Sequence, residues 1–198
     1  MIRSFALAIP LLLPTLALAA CKPPPTDEAG ARGALVEKRE APSEPIVSPD
    51  TSEAIWAPSS IPGRIIYGNV GEAPLLALEC LDDGELPRLR VDRYTLADEG
   101  AGALLAFVGN SHILRMKVDA TALGDVFVWE GSVPASDPSL EVLTGRREAT
   151  ATVPGGGKLT LNPSELPRDL IENCRMLGEE TTADENGEAE SSDAQPAA

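Results

Sequence analysis

The sequence predicts a mainly β domain: an antiparallel sandwich or partly open barrel of about six strands, with two short helices, the last closing the domain. Two observations predict it. Short runs that alternate apolar and polar residues recur between turn signals, and no long β-α-β alternation is present. About 120 residues, near Ile61 to Leu177, are available for this domain, enough for a single modest core.

Taken in order, Leu75 to Leu81 and Leu86 to Val91 flank Asp82-Asp83-Gly84-Glu85, whose Asp-Gly step signals a tight hairpin. Asp82, Asp83 and Glu85 lack the length and ligand spacing of a calcium loop, so a turn is expected there. The next pair, Leu104 to Val108 and Ile113 to Val118, is joined by Gly109-Asn110-Ser111-His112. In its second strand Leu114, Met116 and Val118 alternate with Arg115 and Lys117, which buries one face and wets the other. Val126-Phe127-Val128-Trp129 reads as a further strand. Gly145 to Val153 then meets Lys158 to Leu161 across Pro154-Gly155-Gly156-Gly157, a flexible hairpin tip. Asp137-Pro138 opens a short helix that Gly145 ends. A second helix runs from about Ser164 to Arg175, with Leu166, Leu170, Ile171 and Cys174 on one apolar face and Pro167 in its first turn.

The flanks differ in kind. Residues 22–58 hold 7 acids and 4 bases among many prolines and read, with Cys21, as a Pro-rich linker over 21–58 in which Ile55 and Trp56 are the first residues packed on the domain. The globular domain is placed at 59–177. Residues 178–198 carry 7 acids, no base, no aromatic and no large aliphatic side chain, and are expected to form a disordered acidic tail. The three segments contribute −3, −6 and −7, and Arg3 adds +1, to a net charge of −15, which argues against nucleic-acid binding and against electrostatic docking on anionic lipid.

At the N-terminus, Met1-Ile2-Arg3-Ser4 precedes an apolar stretch from Phe5 to Leu16 interrupted only by Pro10, Pro14 and Thr15, and small residues follow at Ala17, Ala19 and Ala20. This is the outline of a signal peptide over 1–20. The stretch is shorter than the roughly 20 apolar residues a spanning helix needs, and its prolines break it. Leu18-Ala19-Ala20-Cys21 resembles the lipobox of bacterial lipoproteins. That resemblance implies cleavage before Cys21, a diacylglyceryl group on its thiol and an acyl chain on the freed amine, so the membrane is a partner through lipid on Cys21. Each buried methylene adds about 0.8 kcal/mol, and more than one chain is needed to hold firmly. Lys22, where Asp would stand in retained lipoproteins, resembles those forwarded to the outer membrane; the implied location is the bacterial cell envelope, at the outer membrane and facing the periplasm.

With Cys21 lipidated, Cys80 and Cys174 remain as an even pair in an oxidising space and are expected to form one disulfide, tying the first core strand to the last helix. A redox pair would need C-x-x-C, and a zinc site four ligands; the chain has neither, with only two further thiols and one histidine. The charged hairpin, the strand ending Leu159-Thr160-Leu161-Asn162-Pro163 and the closing helix ending Asn173-Cys174-Arg175 are also similar to uncharacterised bacterial envelope proteins, a likeness that implies no functional residue.

Catalytic patterns are sparse. His112 is the single histidine, Ser111 beside it is poorly placed to attack, and G-x-S-x-G is missing. Gly155-Gly156-Gly157-Lys158 lacks the phosphate-loop spacing, and the aromatics Trp56, Tyr67, Tyr94, Phe107, Phe127 and Trp129 are too scattered for a sugar platform. No catalytic residue, metal ligand or cofactor is assigned. The expectation is a non-enzymatic binding or interaction module with an envelope protein partner. Against it stand a periplasmic hydrolase working through His112 or the acids, and an anchored small-molecule-binding domain.

Overall fold

A computed structural model describes residues 44–82 and 86–177. Nine antiparallel strands form one sheet: β1 (Ile55–Pro58), β2 (Arg64–Gly68), β3 (Leu76–Leu81), β4 (Arg88–Ala97), β5 (Gly102–Gly109), β6 (His112–Leu123), β7 (Val126–Pro134), β8 (Ala149–Thr152) and β9 (Lys158–Leu161). Their spatial order is β1-β2-β3-β4-β7-β6-β5-β8-β9. A 3-10 turn, Pro138–Leu140, leads into α1 (Glu141–Thr144), and α2 spans 166–177. The mainly β expectation holds; the count of six strands is too low.

Seven stretches read as strands have counterparts in β3 to β9, and the two strands without one are β1 and β2. Ile55–Pro58 lies inside the span read as linker, yet Trp56 and Ala57 are buried and pair with Tyr67 and Ile66. Pro58 sits at the end of an edge strand, where a missing N–H costs nothing. All five residues of β2 are buried, because Ile65 and Tyr67 face the main core while Ile66 joins Ala57, Ala77 and Tyr94 on the opposite face. A strand covered on both sides shows no alternation to detect.

The sheet curls into a half-barrel around one core, in which Leu76, Leu78, Leu105, Phe107, Met116, Trp129, Leu159 and Ile171 are buried. Its two edges come within side-chain reach of each other. The Trp56 indole N–H on β1 donates to Asn162 O just beyond β9 (3.1 Å), and the Tyr67 hydroxyl donates to Thr160 O (2.9 Å) while accepting from Asn162 N (3.0 Å). The Trp56 and Tyr67 rings, register partners on β1 and β2, stand 5.0 Å apart on one side of this seam. Side chains thus occupy backbone groups that an open edge would present to another chain.

The predicted hairpins at β5–β6 and β8–β9 are present. Leu81 pairs with Arg88, so β3 and β4 are antiparallel neighbours; the Asp-Gly step expected to turn between them lies within residues 83–85, outside the described residues. Gly109 pairs with His112, leaving Asn110-Ser111 as a two-residue turn. The Pro154–Gly157 tip is held rather than free: Gly155 O accepts from Ile46 N (2.7 Å), Gly156 O accepts from the Arg93 guanidinium (3.1 Å), and Ser48 Oγ accepts from Lys158 N (2.9 Å). On α2, Leu170, Ile171 and Cys174 of the expected apolar face are buried, Leu166 is half-buried against the core, and Pro167 is buried as well. Cys80 and Cys174 form a disulfide with Cα atoms 5.6 Å apart. It joins α2 to the third strand rather than the first, because β1 and β2 precede it.

Candidate functional site

The site grows out of the β5–β6 turn. Asn110 (φ 50°) and Ser111 (φ 65°) both occupy the left-handed region, which a two-residue hairpin demands and which costs energy in residues other than glycine. Gly109 precedes them because a Cβ there would stand 2.7 Å from Ala149 Cα. The turn aims the Asn110 amide at a neighbouring segment. Its Nδ2 donates to Val142 O (2.9 Å) and Arg147 O (3.3 Å), and its Oδ1 accepts from Arg147 N (3.1 Å). Gly145 is packed so tightly against this amide that a Cβ would overlap it.

That segment begins at the 3-10 turn, where Asp137 Oδ1 accepts from Ser139 N (2.8 Å) and Leu140 is buried as an anchor. Two arginines from α2 brace α1 behind it. Arg168 donates through Nε (3.0 Å) and Nη2 (2.6 Å) to Thr144 O at the end of α1. Arg175 donates to Glu141 Oε1 (3.0 Å), and the Thr144 hydroxyl donates to Glu141 Oε2 (2.6 Å). Thr144's hydroxyl first, and Arg175 after it, hold the Glu141 carboxyl below its ordinary range against the opposing effect of burial.

Residues 110–112, Glu141 and residues 144–147 line an open cavity of about 360 Å³. His112 Nδ1 lies 2.8 Å from Asn110 O, so the imidazole is oriented by its own turn. Ser111 is exposed at the turn tip, with no base positioned on its hydroxyl. The cavity therefore holds one histidine and one carboxylate, the latter already engaged, together with the exposed Arg146 and Arg147.

A second charged cluster lies on the outer face of the sheet. Arg64 on β2 pairs with Glu79 (2.6 Å) on β3 and Asp92 (2.9 Å) on β4, Arg90 pairs with Glu79, and the Tyr94 hydroxyl accepts from Arg64. Register places them together: Arg64, Glu79 and Arg90 are direct cross-strand neighbours. Burial pushes the Asp92 carboxyl above its ordinary value despite the pull of both arginines. These carboxylates serve arginines, which makes the cluster a brace across three strands.

Inside the curl, Arg93 is 2% exposed and faces no carboxylate among the described residues. Its guanidinium donates to Leu75 O (2.8 Å) and Gly156 O (3.1 Å), joining the start of β3 to the β8–β9 tip. Burial draws its pKa down to about 10, which leaves it charged at neutral pH.

Of the residues singled out from sequence, Cys80 and Cys174 are joined and His112 lines the cavity with Glu141. Cys21 lies outside the described residues, as do Asp83 and Glu85. No group of three or more His, Cys, Asp or Glu among the described residues is placed to hold a metal, and no described helix is long and apolar enough to cross a membrane. Glu141, Arg146, Arg147 and the braces from α2 were not singled out; the adjacent arginines after Gly145 were the one visible signal. The chain matches no family model, no curated protein and no solved structure.

Proposed function

We propose that this protein is a lipid-anchored module of the bacterial cell envelope, held at the outer membrane through Cys21, whose β domain binds another envelope component rather than transforming a substrate. The observation that carries the reading is the arrangement of cysteines: Cys80 and Cys174 are bonded to each other, and the one remaining thiol is the cysteine of Leu18-Ala19-Ala20-Cys21. A bonded pair fits an oxidising compartment, and a single leftover cysteine at a lipobox fits an anchor. Between Cys21 and Ile46 there are 24 residues, a length that reaches roughly 27 Å as a random coil.

The outer face of β5 and β6 offers a contact surface. Leu104, Val108 and Ile113 are 53%, 47% and 48% exposed there, Val108 lies opposite Ile113, and Arg115 and Lys117 flank them. Apolar side chains rimmed by charge are a common composition for a protein interface. Cys21→Ser should abolish palmitate labelling and membrane retention; labelling that persists would end the anchor reading. Cross-linking in intact envelopes should yield a heterologous adduct that Val108→Glu with Ile113→Glu removes, and recovery of the monomer alone counts against a partner. A hydrolase reading is favoured by one fact, that His112 and Glu141 share a cavity wall. It requires a hydrolytic activity that His112→Ala abolishes without unfolding the domain.

A further inference from the structure

The cavity beside α1 displays positive charge that the fold does not use. We propose that it is a binding site for a small oxyanion, a phosphate or carboxylate group gripped by Arg146 and Arg147 with His112 on the facing turn. The inference deepens the binding-module reading and rests on it, but not on the anchor at Cys21.

Three observations carry it. Arg64, Arg90 and Arg175 reach carboxylates, and Arg93 and Arg168 reach backbone carbonyls, each in a bracing role. Arg146 and Arg147 have no carboxylate within ion-pair distance among the described residues. Two adjacent guanidinium groups repel each other, and this chain, with 31 acids, has ample carboxylates to neutralise them. Arg115, Lys117 and Lys158 are exposed without an ion pair among the described residues as well, but only Arg146 and Arg147 are adjacent to each other on the wall of a concavity.

Second, the loop that carries them is over-determined. A left-handed Asn110 spends three hydrogen bonds on residues 142 and 147, Gly145 admits no Cβ against it, and Arg168 holds Thr144 O from the other side. Backbone strain stabilised by so many contacts positions groups more tightly than packing requires. Third, the one carboxylate in the cavity is engaged: Glu141 accepts from Thr144 and Arg175, so its charge is largely satisfied before a ligand arrives. Paired guanidinium forks match the geometry of phosphate and carboxylate oxygens.

The test uses the full mature chain, made soluble by Cys21→Ser and labelled with ¹⁵N, titrated at constant ionic strength with inorganic phosphate in one arm and citrate in the other. Saturable amide shifts at residues 110–112 and 144–147 are expected, and the anion that saturates at the lower concentration names the ligand class. Arg146→Gln with Arg147→Gln should weaken that binding by roughly tenfold or more while leaving the Leu114–Val118 amides in place. The Arg146→Lys with Arg147→Lys variant keeps the charge and loses the forks, and should fall between. No saturable shift with either anion, or an unchanged response in the Gln variant, overturns the proposal. So does movement of the same resonances when Glu179 and Glu180 are changed to Gln without added anion, because the chain's own acidic segment would then hold the site. Envelope cross-linking through β5–β6, read on the Arg146→Gln/Arg147→Gln variant, separates failure of this site from failure of the binding-module reading.

Discussion

Replacing Cys80 and Cys174 together by alanine removes a cross-link between positions 94 residues apart. In the chain-entropy account, opening a loop of that length frees the unfolded chain by about 4.7 kcal/mol at 25 °C. Two features of the structure modify this figure. Cys174 is buried beside Leu170 and Ile171, so trimming its sulfur leaves a small void costing about 1 kcal/mol. In the opposite direction, a compact denatured chain has less freedom to regain. The expected loss is about 3–5 kcal/mol. For about 120 ordered residues, with an unfolding entropy near 2.1 cal/mol/K each, that corresponds to a fall in Tm of about 12–20 °C. The domain should still fold, because Pro167, Leu170 and Ile171 keep α2 docked by burial alone. Urea unfolding followed by tryptophan fluorescence, with thermal melts alongside, measures the loss, and the denaturant slope should rise as the uncrosslinked chain expands. A loss under about 1 kcal/mol, in a parent whose disulfide is confirmed by non-reducing peptide mass, would refute the reasoning.

Arg93→Met leaves Gly156 O without its guanidinium donor, at about 1–3 kcal/mol, and takes one of two donors from Leu75 O, which keeps Tyr94 N, while relieving the burial of a charge; a net loss near 2 kcal/mol is expected. Amide exchange should quicken at residues 154–157 and not at the β5–β6 turn, and equal exchange at both would overturn the stapling role. Glu141 titrates below 4.5 because Thr144 and Arg175 favour its ionised form. The folded carboxyl thus binds its proton less readily than the unfolded one, so its contribution to stability is complete above the unfolded value and is lost as pH falls through the folded value. Thr144→Val should move the carboxyl ¹³C titration midpoint upward, and an unmoved midpoint would refute the hydroxyl as the leading cause.

Local pattern alone sufficed for β6, where Leu114, Met116 and Val118 alternate with charged neighbours, and for the turns at Asn110-Ser111 and Pro154–Gly157. It sufficed also for the apolar face of α2 and for the pairing of Cys80 with Cys174, once Cys21 was set aside. These features depend on residues within a turn or two of one another, or on simple counting. Only the tertiary structure decided the rest. It showed that β2 is covered on both faces, that β7 returns to pair with β4, and that Trp56 and Tyr67 bridge the edges of the sheet. It also assembled the cavity from a turn at 110–112, a loop at 144–147 and braces at Arg168 and Arg175, segments more than twenty residues apart. Periodicity says which residues share a face; which faces meet depends on long-range strand pairing, and that is why the arginines of the cavity were plain in the sequence while their lack of partners was not.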